Sequence, residues 1–172
     1  MNIPLENIII RKARPSDAER IVGLLNPIIE KGTDSVWDLP CTAEFERHWL
    51  ENLRPGSIYS VAERRKDSKI VGIQTLTPML RYYKALKHIA NMMLFVDLDE
   101  RGKGIGTFLA NETFREARNN GYENVHLYIR EDNFDSLLFA FKLGFRIIGI
   151  AKNHAKCYSK YVDMVVLERF LQ

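Results

Sequence analysis

The stretch Leu94–Gly106, LFVDLDERGKGIG, restricts the fold of this chain more than any other. An apolar run ends, a charged turn follows, and three glycines fall within five positions where a helical pattern begins. Glycine costs roughly 1 kcal/mol relative to alanine inside a helix, so Gly102, Gly104 and Gly106 need a reason. A buried strand that delivers the chain to a helix start with a bare backbone supplies one. The first N–H groups of a helix have no internal partner, and the helix dipole favours negative charge there. Without side chains in the way, a diphosphate can come close to them. Arg101 and Lys103 place positive charge at the same point. A glycine-bearing helix start with solvated charges fits the same letters. Two well-known phosphate loops do not. GKGIGT lacks the GxGxxG spacing of the dinucleotide fingerprint, and no Lys followed by Ser or Thr closes a Walker loop.

The elements around this turn alternate. Residues 8–13 (IIIRKA) predict a strand, and Pro15-Ser16-Asp17 opens a helix with Ile21, Leu24, Leu25 and Ile28 at helical spacing. Residues 31–42 predict a loop. Thr42 then caps a helix over 43–53, with Phe45, Trp49, Leu50 and Leu53 facing inward. SIYSVAERR and KIVGIQTL, separated by Lys66-Asp67-Ser68, read as a hairpin. The tip carries Arg64, Arg65, Lys66 and Lys69 and is most simply a solvated turn. A strand over 88–96, a helix over 104–120, the alternating strand NVHLYI, a short helix over 132–143 and two closing strands complete the chain. The pattern predicts a mixed sheet with helices packed on it.

The 172-residue length suits one domain with a real core. A net charge of +3 suits an anionic small ligand better than nucleic acid. Cys41 and Cys157 give neither a disulfide framework nor a metal-binding spacing. No apolar run reaches a membrane span, and the N-terminus lacks the pattern of a signal peptide, so a cytoplasmic setting is expected.

Asn133 lies 27 residues after Gly106 and opens NFDSLLFAFKLGF, a short helix ending at Gly144 before the strand that starts at Phe145. LFVDLDERGKGIGTFL together with N-x-x-S…K-L-G-F resembles the Gcn5-related N-acetyltransferase (GNAT) family. The order of elements agrees along nearly the whole chain. The resemblance implies a single domain over 1–172 with the acyl-CoA N-acyltransferase fold: α/β, a mixed and mostly antiparallel central sheet, and helices on both faces. It also implies that the sheet splays between its fourth and fifth strands, where acetyl-CoA enters. The activity implied is transfer of an acetyl group from acetyl-CoA, as co-substrate, to a primary amine of a small molecule. No metal, nucleic acid or membrane partner is implied, and a homodimer is left open. By the same resemblance, the main chain of Leu94, Phe95 and Val96 would hold the pantetheine arm and polarise the thioester carbonyl. Arg101, Gly102, Lys103, Gly104, Ile105 and Gly106 would cradle the pyrophosphate. Asn133 would bond the pantetheine amides or cap its helix, and Ser136 would lie beside the cofactor.

The chain departs from the family pattern at two positions. A tyrosine that protonates the leaving thiolate is often found seven residues after the asparagine; here that residue is Ala140. In the phosphinothricin and methionine-sulfoximine acetyltransferase branch, otherwise the nearest in character, a glutamate often occurs early in the fourth strand; here it is Asn91. Tyr128, on one face of NVHLYI with His126, is the candidate catalytic residue, against a plain role as a packed strand tyrosine. His88, before the fourth strand, either acts through water or is a surface histidine at a strand start; Tyr158 and Tyr82 or Tyr83 are further candidates for the acceptor side, and no spacing chooses among them. Trp37 either walls the acceptor pocket or seals two helices. Two other readings remain open: an N-terminal peptide acetyltransferase and an acyl-CoA-binding module without catalysis.

Overall fold

The computed structural model describes residues 5–80 and 83–171. A seven-stranded sheet runs in the order β1-β2-β3-β4-β5-β7-β6. The strands are β1 (Ile8–Lys12), β2 (Ile58–Arg64), β3 (Lys69–Pro78), β4 (Ile89–Val96), β5 (Asn124–Arg130), β6 (Arg146–Cys157) and β7 (Lys160–Phe170). The helices are α1 (Ala18–Lys31), α2 (Ala43–Glu51), α3 (Ile105–Asn119) and α4 (Phe134–Lys142). Every strand pair is antiparallel except β4 with β5. This is the mixed α/β domain that the sequence implied.

Two cores cover the two faces of the sheet. On one, α1 presents Ile21, Leu25 and Ile28 to Tyr59, Val61 and Ile73, with Leu50 of α2 beside them. On the other, Phe114 and Ala117 of α3, Ala140 of α4 and Leu143 just after it pack on Ala90, Met92, Val125 and Leu167. The alternation of β5 accounts for the split. Val125, Leu127 and Ile129 go to the α3/α4 core, and His126 and Tyr128 face the other side, as their period of two requires.

Thr42 caps α2, its hydroxyl accepting from the N–H of Phe45. Trp49, Leu50 and Leu53 pack inward as expected, and one position departs. Phe45 is exposed, and Glu46 is fully buried in its place. Its carboxylate accepts a 2.7 Å hydrogen bond from the Tyr59 hydroxyl, and burial pushes its pKa up. A buried tyrosine hydroxyl needs a partner, which a phenylalanine cannot supply. The hairpin tip also differs from a solvated turn at Arg64. That side chain is largely covered and pairs with Asp67 and Glu100.

The parallel contact positions the site. β4 pairs with β5 only from Ile89–Asn124 to Met92–Leu127, and the strands then diverge. Met93 to Val96 keep β3 on one edge and have no strand on the other.

Candidate active site

The charged turn after β4 is built by its own side chains. The Asp97 carboxylate accepts from the N–H of Asp99 and fixes a single 3-10 turn over Leu98–Glu100. Gly102 and Gly104 follow with φ of +76° and +83°, a region costing other residues roughly 1–2 kcal/mol. Gly104 is the N-cap of α3, and no side chain caps that start. The unpartnered N–H groups of the first turn therefore face the space in front of the helix. Gly106 answers a different need. A Cβ there would lie 3.0 Å from Phe139 of α4, so α3 and α4 can approach only over a bare backbone.

That space is a cleft of 490 Å³, bounded by Leu94, Phe95 and Val96, by the turn from Glu100 to Thr107, and by Ser136 and Phe139 of α4. Ile105 lies in the core and offers only its main chain to the cleft. A second cavity of 320 Å³ continues from it past Leu94, Phe95, Ser136 and Phe139. It runs to Trp37, Asn91, Tyr128 and Asn133. Every residue expected at the cofactor except Lys103 lines one of these spaces.

The two cations of the turn are not free. Arg101 pairs with Asp34 and also donates to the Val96 carbonyl, while Lys103 pairs with Glu100 and donates to the Asp99 carbonyl. Burial pushes Asp34 up, but hydrogen bonds from Arg101, Lys31 and Thr33 outweigh it and hold the carboxyl below its usual range. Both cations are thus held by carboxylates at the mouth of the turn.

Asn133 caps α4 through its Oδ1, which accepts from the N–H of Ser136 at 3.1 Å, and the same residue lines the second cavity. Tyr128 is 40% exposed and lines that cavity too. Ala140 is fully buried beneath α4. The alanine there adds to the core, and Phe139, just before it, lines the cleft with Ser136. Asn91 lines the second cavity with its Oδ1 covered and unpaired.

Of the remaining candidates, Trp37 lines the second cavity and also packs on the α1/α2 core, its ring 6.0 Å from that of Phe95. His88 and Tyr83 do not line either space, and Tyr158 borders a separate open groove. Tyr82 lies outside the described residues. One feature has no signal in the sequence. Arg130, 8% exposed, reaches back to the carbonyls of Gly32 and Ser35 at 2.7 and 3.2 Å. The loop after α1 is thus tied down at both ends of the cavity, through Asp34–Arg101 and through Arg130.

Among the described residues, no cluster of three His, Cys, Asp or Glu side chains could hold a metal ion. None of their helices is long and apolar enough to cross a membrane.

The profile of the Acetyltransferase (GNAT) family matches residues 25–145. The chain is 28% identical over 162 residues to the "Putative phosphinothricin acetyltransferase YwnH" of Bacillus subtilis, covering 94% of this chain and 98% of that protein. It is similar to the crystal structure of a ribosomal-protein-alanine N-acetyltransferase from Brucella melitensis, with a TM-score of 0.86 and 25% identity over 94% of this chain and 99% of that one. It shares the fold of yncA from Salmonella typhimurium, solved with its cofactor acetyl-CoA, at a TM-score of 0.84 and 19% identity over 96% and 95% of the two chains.

Proposed function

Because the chain belongs to the GNAT family and is an acetyl-CoA-dependent N-acetyltransferase, we propose that its acceptor is the primary amine of a small, largely apolar molecule. The observation that carries this reading is the bounded acceptor cavity. Its volume of 320 Å³ suits a small ligand. The loop from Gly32 to Trp37 is strapped across it by Arg130 and Arg101. Trp37, Phe95, Tyr128 and Phe139 supply an aromatic wall, and Met92, Met93 and Met164 an adaptable apolar one.

The roles follow from the two halves. The uncapped start of α3, from Gly104 to Gly106, receives the pyrophosphate on its N–H groups. The unpaired edge of Leu94–Val96 lies along the pantetheine arm, and a main-chain N–H there polarises the thioester carbonyl. Asn133 offers its amide N–H₂ to the same arm while its oxygen caps α4, so both expected roles coexist. Ser136 lies between the halves. The amine nitrogen attacks the carbonyl carbon; the C–N bond forms as the C–S bond breaks. The thiolate leaves next to Tyr128, the phenol of this cavity, which donates a proton to it.

A coupled assay of CoA release tests the reading with phosphinothricin, methionine sulfoximine, phenethylamine and an alanine-terminated peptide. Turnover highest with a free small amine is expected. Preference for the peptide by tenfold or more in kcat/KM would replace the small-molecule acceptor with a polypeptide N-terminus, the acceptor class named for the Brucella relative. Acetyl-CoA binding without turnover on any amine would leave a silent binding module.

A further inference from the structure

The reaction also needs a base, since an amine acceptor arrives mostly as its ammonium. At the point where β4 and β5 part, two covered polar atoms have no hydrogen-bond partner: Oδ1 of Asn91 and Nδ1 of His126. They are direct neighbours, because Asn91 pairs with His126 across the parallel contact, one step before the last pair at Met92–Leu127. Adjacent strands lie about 4.8 Å apart, so the two side chains stand side by side on one face. That face is the acceptor face. Asn91 lines the cavity, and Tyr128, two residues along from His126, lines it as well.

His126 has a carboxylate behind it. Its Nε2 is 3.9 Å from Oε2 of Glu168, its partner in register on β7. Glu168 is itself held by Asn124 at 2.9 Å and by Arg146 at 2.6 Å. Those hydrogen bonds hold it below the usual carboxylate range, so it stays charged. His126 is 9% exposed, and leaving a buried polar atom unmade costs about 1–3 kcal/mol. Native proteins satisfy such atoms with water where the site is polar. The order Asn91, His126, Glu168 thus places a covered, unpaired acceptor on a cavity-lining residue, an unpaired ring nitrogen on its register neighbour just behind that lining, and a fixed negative charge beyond.

We propose that His126, oriented by Glu168, takes the proton of the acceptor ammonium through a water held at Asn91. This rests on the amine-acceptor reading above. The ammonium N–H bond breaks, its proton passes through the water to Nδ1 of His126, and the resulting imidazolium is balanced by Glu168. The freed lone pair forms the C–N bond. The nitrogen's second proton restores the Tyr128 phenol that protonated the departing thiolate, so CoA leaves as the thiol, and the proton held by His126 is released to solvent, one for each turnover. The site uses His126 on β5 where the resembling branch carries a carboxylate at the position of Asn91.

The test uses the full chain with whichever amine of the panel above turns over fastest. His126→Gln should lower kcat at least tenfold, a loss within the usual range for a general base, with KM and Kd for acetyl-CoA within twofold of wild type. Adding Asn91→Glu to His126→Gln puts a carboxylate at the cavity and should restore tenfold or more of the lost kcat. His126→Gln with wild-type kcat would overturn the proposal. So would a loss of activity matched by lost acetyl-CoA binding and not restored by Asn91→Glu, since that marks a structural histidine. Failure of the amine-acceptor reading would show separately, as a wild-type protein that turns over no amine.

Discussion

The two halves of the cleft are made of different material. The cofactor half is mostly main chain: an uncapped helix start, two glycines with positive φ, and a strand edge with no neighbour. The acceptor half is mostly side chain, contributed by the α1–α2 loop, β3, β4, β5, α4 and β7. A main-chain site depends on local conformation and tolerates few residues. A side-chain site depends on which residues long-range pairing brings together, and it changes with single substitutions. The structure therefore predicts that changes at the first half act on acetyl-CoA affinity and changes at the second on turnover.

The largest effect should come from Gly104→Val. A Cβ at Gly104 would meet only Leu5, at 3.7 Å, so no clash with the protein opposes the change. What opposes it is φ of +83°, where a β-branched residue is strained, and a branched side chain in the path of the phosphate. Acetyl-CoA affinity should fall at least tenfold, about 1.4 kcal/mol, by calorimetry. Gly102→Ala sharpens the comparison, because Gly102 shares the positive φ but precedes the helix start. It should lose about 1–2 kcal/mol of stability and less affinity than Gly104→Val. Equal affinity for wild type and a folded Gly104→Val protein would remove the phosphate from this turn.

Tyr128→Phe addresses the other half. The hydroxyl is the only atom lost, and the ring keeps its packing, so kcat should fall about tenfold while acetyl-CoA affinity holds. Unchanged kcat would mean that the thiolate leaves unassisted, and would return Tyr128 to a packing role.

This contrast also sets what the sequence reveals. The turn was legible because two positive φ values and one close helix contact each demand glycine, and their spacing records the conformation. The capping role of Asn133 was legible because an asparagine before an apolar helical run is itself the local signal of a helix start. The acceptor half was not. Arg130 reaches the carbonyls of Gly32 and Ser35 across nearly a hundred residues, and nothing local in YIRED announces it. His126 was visible only as a polar residue in an alternating strand; its meaning comes from register with Asn91 and Glu168. Glu46 displaced Phe45 from the core because Tyr59, on another element, needs an acceptor. Apolar spacing placed Trp49, Leu50 and Leu53 on the inward face, but it carries no sign of a buried hydroxyl that recruits a carboxylate beside them.

Asn133→Ala tests a residue that lines the second cavity and is assigned to the pantetheine arm. Removing a cap costs about 0.5–2 kcal/mol of stability, read as a lower Tm. If the amide also serves pantetheine, affinity for CoA should drop about three- to tenfold and that for ADP should not. Equal losses for both ligands would leave only the cap.

The smallest effect, and the only expected gain, belongs to Asp34→Asn. Asp34 holds Arg101 at the edge of the cofactor half and Lys31 beside it, so the carboxylate competes with phosphate for the same guanidinium. Its side chain is 10% exposed and that of Arg101 36%, so the pair is partly screened. Such pairs are worth about 0–1 kcal/mol, and acetyl-CoA should bind about two- to fivefold tighter to the variant. The sign with pH follows from the depressed pKa of Asp34. Its contribution to stability is complete above the unfolded carboxyl value near 3.9 and is lost as pH falls through the lower folded value. The wild type should therefore lose more stability than the variant on acidification through that range, and the two should run parallel at neutral pH. The same carboxylate also ties down the loop that closes the acceptor cavity. If Asp34→Asn tightens acetyl-CoA and raises KM for the amine together, the strap joins the two halves through one residue. If affinity for acetyl-CoA falls instead, Asp34 orients Arg101 for phosphate and does not compete with it, and the division between the halves moves past the loop.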